Sequence, residues 1–199
     1  MKSKVLTFLL ALTFIVSIVG VSLAEFDYSV FEKNENFEVK IDDFDDTPVS
    51  IELGDKFAPI TVDTSDGKAT DIMIKIETLG NEQVRMFLIL IKVKGVHNFK
   101  DITLLPDKTR YTIEVKGSPE SGYETIGFPV TSDLIPMFDE VIEKQITSVR
   151  YRLRGDDNVD SVLAINVEQL KLLIDLYKEA GGMNQDFSTF RTMYPVTVK

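Results

Sequence analysis

VRMFLILIKV, residues 84–93, is the stretch on which the fold turns. Its middle is apolar on both faces, so it predicts a strand covered by one layer on each side. Two sheets packed face to face, or one sheet covered by helices, provide those layers. Upstream, DIMIKIETL (71–79) alternates apolar and polar residues, and Asn81-Glu82 separates it from the central run. Further back, Phe37, Val39 and Ile41 alternate with Glu38, Lys40 and Asp42, and Val49, Ile51 and Leu53 with Ser50 and Glu52. That period of two marks half-buried strands. Ile60 and Val62 begin a short strand that ends in the turn formers Asp63-Thr64-Ser65-Asp66-Gly67.

Downstream, TRYTIEV (109–115) and YETIGFPV (123–130) predict two more strands, joined across residues 117–122. ITSVRYRLR (146–154) and VDSVLAI (159–165) predict a hairpin over Gly155-Asp156-Asp157-Asn158, and Pro195-Val196-Thr197-Val198 a last edge strand. Two helices interrupt the series. Ser132 is the expected N-cap of residues 133–145, with Pro136 in the first turn. Asn166 caps the second, where Val167, Leu170, Leu173, Ile174 and Tyr177 form an apolar stripe ending at Gly181-Gly182. The fold class is therefore mainly β (α+β): an antiparallel β-sandwich-like domain with two helices near the C-terminal half.

Residues 1–24 read as a signal peptide. Lys2 and Lys4 precede an uncharged apolar run that closes on Ser22-Leu23-Ala24, placing small residues where a signal peptidase reads. Cleavage before Glu25 is expected, and an uncleaved membrane anchor is the alternative. Residues 25–36 read as a polar leader, and residues 37–199 as one domain. The expected place of work is secreted or extracytoplasmic. The absence of any Asn-x-Ser/Thr site fits a bacterial source.

Removing residues 1–24 leaves 20 lysines and arginines against 32 aspartates and glutamates, a net charge near −12. Such an excess argues against binding nucleic acid or anionic lipid. No cysteine is present, which excludes disulfides, thiolate metal sites and thiol nucleophiles. His97 is the only histidine, so HExxH zinc chemistry is excluded, and no GxSxG elbow supplies a serine nucleophile. Ser65-Asp66-Gly67-Lys68 matches SxxK in a turn between strands, where a two-position motif arises by chance. Phosphate-binding glycine loops are missing.

Three candidate sites remain. In Arg150, Arg152 and Arg154, alternation on a strand turns three guanidinium groups one way while Val149, Tyr151 and Leu153 point to the core. The row suits an anion or an acidic partner at the cell surface, and a ladder of cross-strand ion pairs is the competing explanation. Two aspartate clusters, residues 42–46 (DDFDD) and Asp156, Asp157, Asn158 and Asp160, offer closely spaced oxygens for calcium, against the plainer reading of solvated turns. Arg154-Gly155-Asp156 matches an integrin-binding string at a hairpin tip. The expected function is a non-catalytic binding or interaction module. A carboxylate-dependent, glycosidase-like hydrolase is the runner-up, weakened because no tryptophan is present to stack on sugars.

Overall fold

The computed structural model describes residues 26–42, 48–65, 67–79 and 84–199. The signal segment and positions 43–46 of the first aspartate cluster lie outside the described residues. Among the described residues twelve strands form two six-stranded antiparallel sheets. In the first, the order is β1 (Phe37–Ile41), β2 (Pro48–Leu53), β4 (Ala69–Leu79), β5 (Val84–Lys94), β9 (Tyr123–Pro129) and β8 (Gly117–Glu120). The second runs β12 (Val196–Val198), β7 (Tyr111–Glu114), β6 (Asp101–Leu105), β10 (Ser148–Arg154), β11 (Asn158–Ile165) and β3 (Ile60–Val62). Among the described residues four α-helices accompany the sheets: α1 (Ser29–Glu32), α2 (Ile135–Glu143), α3 (Val167–Glu179) and α4 (Ser188–Met193).

The central run behaves as its composition demands. Phe87, Ile89, Ile91 and Val93 point into the main core with Ile102, Leu104, Ile113 and Leu153 of the opposite sheet. Val84, Met86 and Leu88 face the other way and are covered by Phe187 and by Phe190 of α4. The second layer over β5 is thus the C-terminal segment. At about 25 cal/mol per Å² of buried apolar surface, such two-sided burial supplies the main drive for a chain without disulfides.

Several boundaries depart from the sequence reading. The expected leader is part of the domain: Phe26 and Phe31 are buried, Phe26 against Tyr177 and Phe31 against Phe37, and Asp27 N–H donates to Ala180 O at 2.9 Å. Its aromatic residues fill core space that its polar neighbours concealed. Ser132 does not cap α2. Thr131 O receives the N–H groups of Leu134 and Ile135, which winds residues 132–134 into a turn and delays the helix, and Ser132 Oγ accepts from Arg191 instead. The segment read as a linker at 117–122 contains β8, an edge strand in which Pro119 is tolerated. The short strand β6 and helix α4 carry too few residues to have shown a period.

Asn166 caps α3 as expected, accepting from Gln169 N–H at 3.2 Å. Gln169 does not return its side chain to the Asn166 N–H. Its side chain accepts from Ala58 N–H at 2.9 Å and donates to Lys56 O at 3.4 Å, while Asn166 N–H donates to Pro59 O. These bonds pin residues 54–59, where the chain leaves β2 of the first sheet and crosses to β3 of the second.

Candidate functional site

The second sheet sets the arginine row in place. Along β10, Val149, Tyr151 and Leu153 are buried and Arg150, Arg152 and Arg154 are exposed, as alternation requires. Register places Arg152 between Asp160 of β11 and Thr103 of β6. Its guanidinium grips Asp160 with two bonds, Nε to Oδ1 at 2.6 Å and Nη2 to Oδ2 at 2.9 Å. The Arg152 hydrogen bond holds the Asp160 carboxyl below its ordinary value, and partial burial opposes it weakly. Arg154 Nε donates to Asp101 of β6 at 2.7 Å. Two of the three arginines are therefore engaged in the cross-strand ladder.

Arg150 is not. Its cross-strand neighbours are Leu105 and Val162, and no carboxylate pairs with it among the described residues. Extending the β6–β7 register past Leu104–Tyr111 sets Arg110 opposite Leu105, on the same outer face. Arg110 is held extended by reciprocal main-chain bonds to Lys199, at 2.9 and 3.0 Å, and its side chain also has no acidic partner among the described residues. Arg110, Leu105 and Arg150 thus stand in line across the sheet. They line an open depression of about 620 Å³ with Thr103, Arg152 and Ser161. The arrangement offers two uncommitted guanidinium forks flanking an apolar floor, which suits a carboxylate or phosphate group carried on a partly apolar ligand.

The calcium candidates do not converge. Asp160 is committed to Arg152, Asn98 Nδ2 donates to Asp156 at 2.5 Å, and Asp157 faces His97 Nδ1 at 3.7 Å. Asn158 sits in the β10–β11 ladder opposite Arg154. Among the described residues no three acidic or imidazole side chains gather around a common point. Nor is the Arg154-Gly155-Asp156 tip projected freely. Asp156 N–H donates to His97 O at 2.7 Å, and the β5–β6 loop lies so close to Gly155 that a Cβ there would overlap His97 O.

That docked loop rests on a feature the sequence did not advertise. Glu124, on β9, is 1% exposed, and its carboxylate receives three successive main-chain N–H groups. Oε2 accepts from His97 (2.6 Å) and Asn98 (2.9 Å), and Oε1 from Phe99 (2.8 Å). Gly117 on β8 leaves room for it, because a Cβ at that position would fall within the carboxylate. His97 Nε2 meets Lys94 O at 2.9 Å and its ring packs on Phe99. Glu124 and His97 form a structural clamp. Both oxygens of Glu124 are occupied by main-chain donors, so this carboxylate is committed to holding the loop.

The fold and the arginine face define a two-sheet antiparallel β-sandwich with helical closure and an open, cationic sheet surface. No family model, no curated protein and no solved structure matches the chain. Among the described residues no helix is long and apolar enough to cross a membrane.

Proposed function

We propose that the protein is a non-catalytic binding module, working outside the cytoplasmic membrane, that holds an acidic ligand on the outer face of its second sheet. Arg110 and Arg150 are the contact residues, with Leu105 between them. The observation that supports this reading is the contrast within one row of arginines. In a chain with 32 acidic residues, Arg152 and Arg154 find carboxylates, whereas Arg110 and Arg150 are left without one among the described residues. Like charges on one face repel, and guanidinium groups left uncommitted there await an external anion. Export rests on the signal-like segment at residues 1–24.

The test is a binding titration of the wild-type chain and of R110Q/R150Q with a blocked hexaglutamate peptide, and separately with inorganic phosphate, at two salt concentrations. Saturable binding that weakens with salt and disappears in the double variant, with unchanged melting temperature, is the expected result. Equal binding by wild type and R110Q/R150Q, or binding by neither probe, contradicts the assignment.

A further inference from the structure

The outer face of the second sheet is ordered in bands that cross its strands. Register sets Lys199, just past β12, in line with Arg110, Leu105 and Arg150. Two residues along, Thr197, Thr112 and Thr103 form a second band, which ends on the Arg152–Asp160 pair. A third holds Glu114 and Asp101, with Arg154 bound to Asp101. Cations, hydroxyls and acids therefore succeed one another about 7 Å apart along the strands. That order orients any bound polyanion. Laid along β6 or β7, it would run from the arginines onto Asp101 or Glu114, whereas laid across the strands it stays on the cationic band.

Spacing across the strands narrows the choice of ligand. Arg110 and Arg150 stand two strand spacings apart, about 10 Å, with Leu105 between them. A ligand that serves both carries anionic groups at about that repeat, with C–H surface between them. The hydroxyl band adds a second requirement. Thr103 Oγ1 and Thr112 Oγ1 lie 3.0 Å apart, so one hydroxyl donates to the other. The accepting hydroxyl keeps its own proton, and both oxygens keep lone pairs. Both threonines are half-buried, so the pair presents a donor and acceptors beside the cationic band. A ligand hydroxyl, which donates and accepts, matches that pair; a carboxylate only accepts.

We infer that the ligand of this face is a linear acidic polysaccharide laid across the strands, its carboxylates on Arg110 and Arg150 and its hydroxyls on the Thr103–Thr112 pair. The inference rests on the arginine-face reading and names the ligand class. An extended sugar chain with one uronate per disaccharide repeats its carboxylates at about two strand spacings, roughly 10 Å. Its ring C–H groups suit Leu105, and its ring hydroxyls suit the threonines. An acidic polypeptide fits less well. Extended, it repeats same-side carboxylates about every 7 Å, which matches the direction along a strand, where Asp101 and Glu114 intervene. Nor can its main chain be gripped here by strand addition, because β7, β6 and β10 each have a neighbour on both sides.

The experiment titrates the full mature chain with three probes: an octasaccharide of alternating glucuronate and N-acetylglucosamine, its carboxyl methyl ester, and the blocked hexaglutamate peptide. Expected is saturable binding of the octasaccharide roughly tenfold tighter than that of hexaglutamate, although it carries fewer carboxylates, which is the advantage of one or two added hydrogen bonds. The methyl ester should not bind, and R110Q/R150Q should bind neither acid. T103V/T112V removes both hydroxyls at nearly constant shape, so it should keep the wild-type melting temperature and lose the octasaccharide's advantage, which T103S/T112S should retain. If T103V/T112V does not fold, the wild-type preference and its loss in R110Q/R150Q decide. Hexaglutamate bound through the arginines with no preference for the octasaccharide would overturn the inference, make the ligand an acidic polypeptide, and leave the arginine face standing. An advantage kept by T103V/T112V, or octasaccharide binding that survives R110Q/R150Q, also overturns it. Binding of neither acid would bring down both readings.

Discussion

Replacing Glu124 by glutamine changes one atom and should cost far more than a surface substitution. The carboxylate is buried and accepts from His97, Asn98 and Phe99. A glutamine can keep its oxygen at the Oε2 position and retain the first two bonds, now without charge assistance, at a loss of about 0.5–1 kcal/mol each. Its amide nitrogen then confronts the buried Phe99 N–H, donor against donor, and an orphaned buried donor costs about 1–3 kcal/mol. The sum is about 2–5 kcal/mol, and the opposite flip, which strands two donors, costs no less. For a domain of this size each kcal/mol is worth about 2–4 °C, so a fall of roughly 4–20 °C is expected in a reversible thermal melt. Gly117→Ala should be similarly damaging, since its Cβ intrudes on the same carboxylate. The double variant G117A/E124A should cost less than the sum of the singles by more than about 1 kcal/mol, because both disrupt one contact. A Glu124→Gln chain within about 0.5 kcal/mol of wild type would refute the reasoning, since that is the range of an ordinary surface change.

Other outcomes follow from single contacts. Asn166→Ala removes the acceptor for Gln169 N–H and should cost about 1 kcal/mol in a melt or urea titration; no change would mean that the crossover bonds, not the cap, hold α3. Hydrogen bonds from Arg152 to Asp160, and from Ser29, Ser65 and Ser188 to Asp27, Asp63 and Asp186, hold these four carboxyls below their ordinary values. A carboxyl with a lower value in the folded state stabilises fully above the unfolded value and loses that contribution as pH falls through the folded one. Melting temperature should therefore drop as pH is lowered below about 4, and less steeply in R152Q, as a pH series of melts will show. Intact-mass measurement of the exported protein should place the N-terminus at or near Glu25, and full-length chain recovered from membranes would favour an anchor.

The architecture was legible because its signals are local. Alternation in 148–154 and 158–165 gave both the hairpin and the outward arginines, and the two-sided apolar character of 84–93 gave the central strand. What was hidden depends on register between distant segments. Arg110 joins Arg150 only through Leu105, on the unrecognised strand β6, and Asp101, the partner of Arg154, lies on the same strand. Glu124 sits in an alternating run where a charged residue reads as outward. Only the β5–β6 loop that surrounds it, with the space left by Gly117, makes an inward carboxylate tolerable. The close approach of β3 to β4 arises from the crossing of the chain from β2 to the second sheet, which no periodicity encodes.

The most direct measurement of the arginine-face assignment follows the Nε–Hε signals of the six arginines in arginine-labelled protein during titration with the hexaglutamate peptide. Early, saturable shifts at Arg110 and Arg150, with Arg152 and Arg154 staying on Asp160 and Asp101, are the predicted result. Shifts spread evenly over all six, or confined to Arg85 and Arg191, would contradict it.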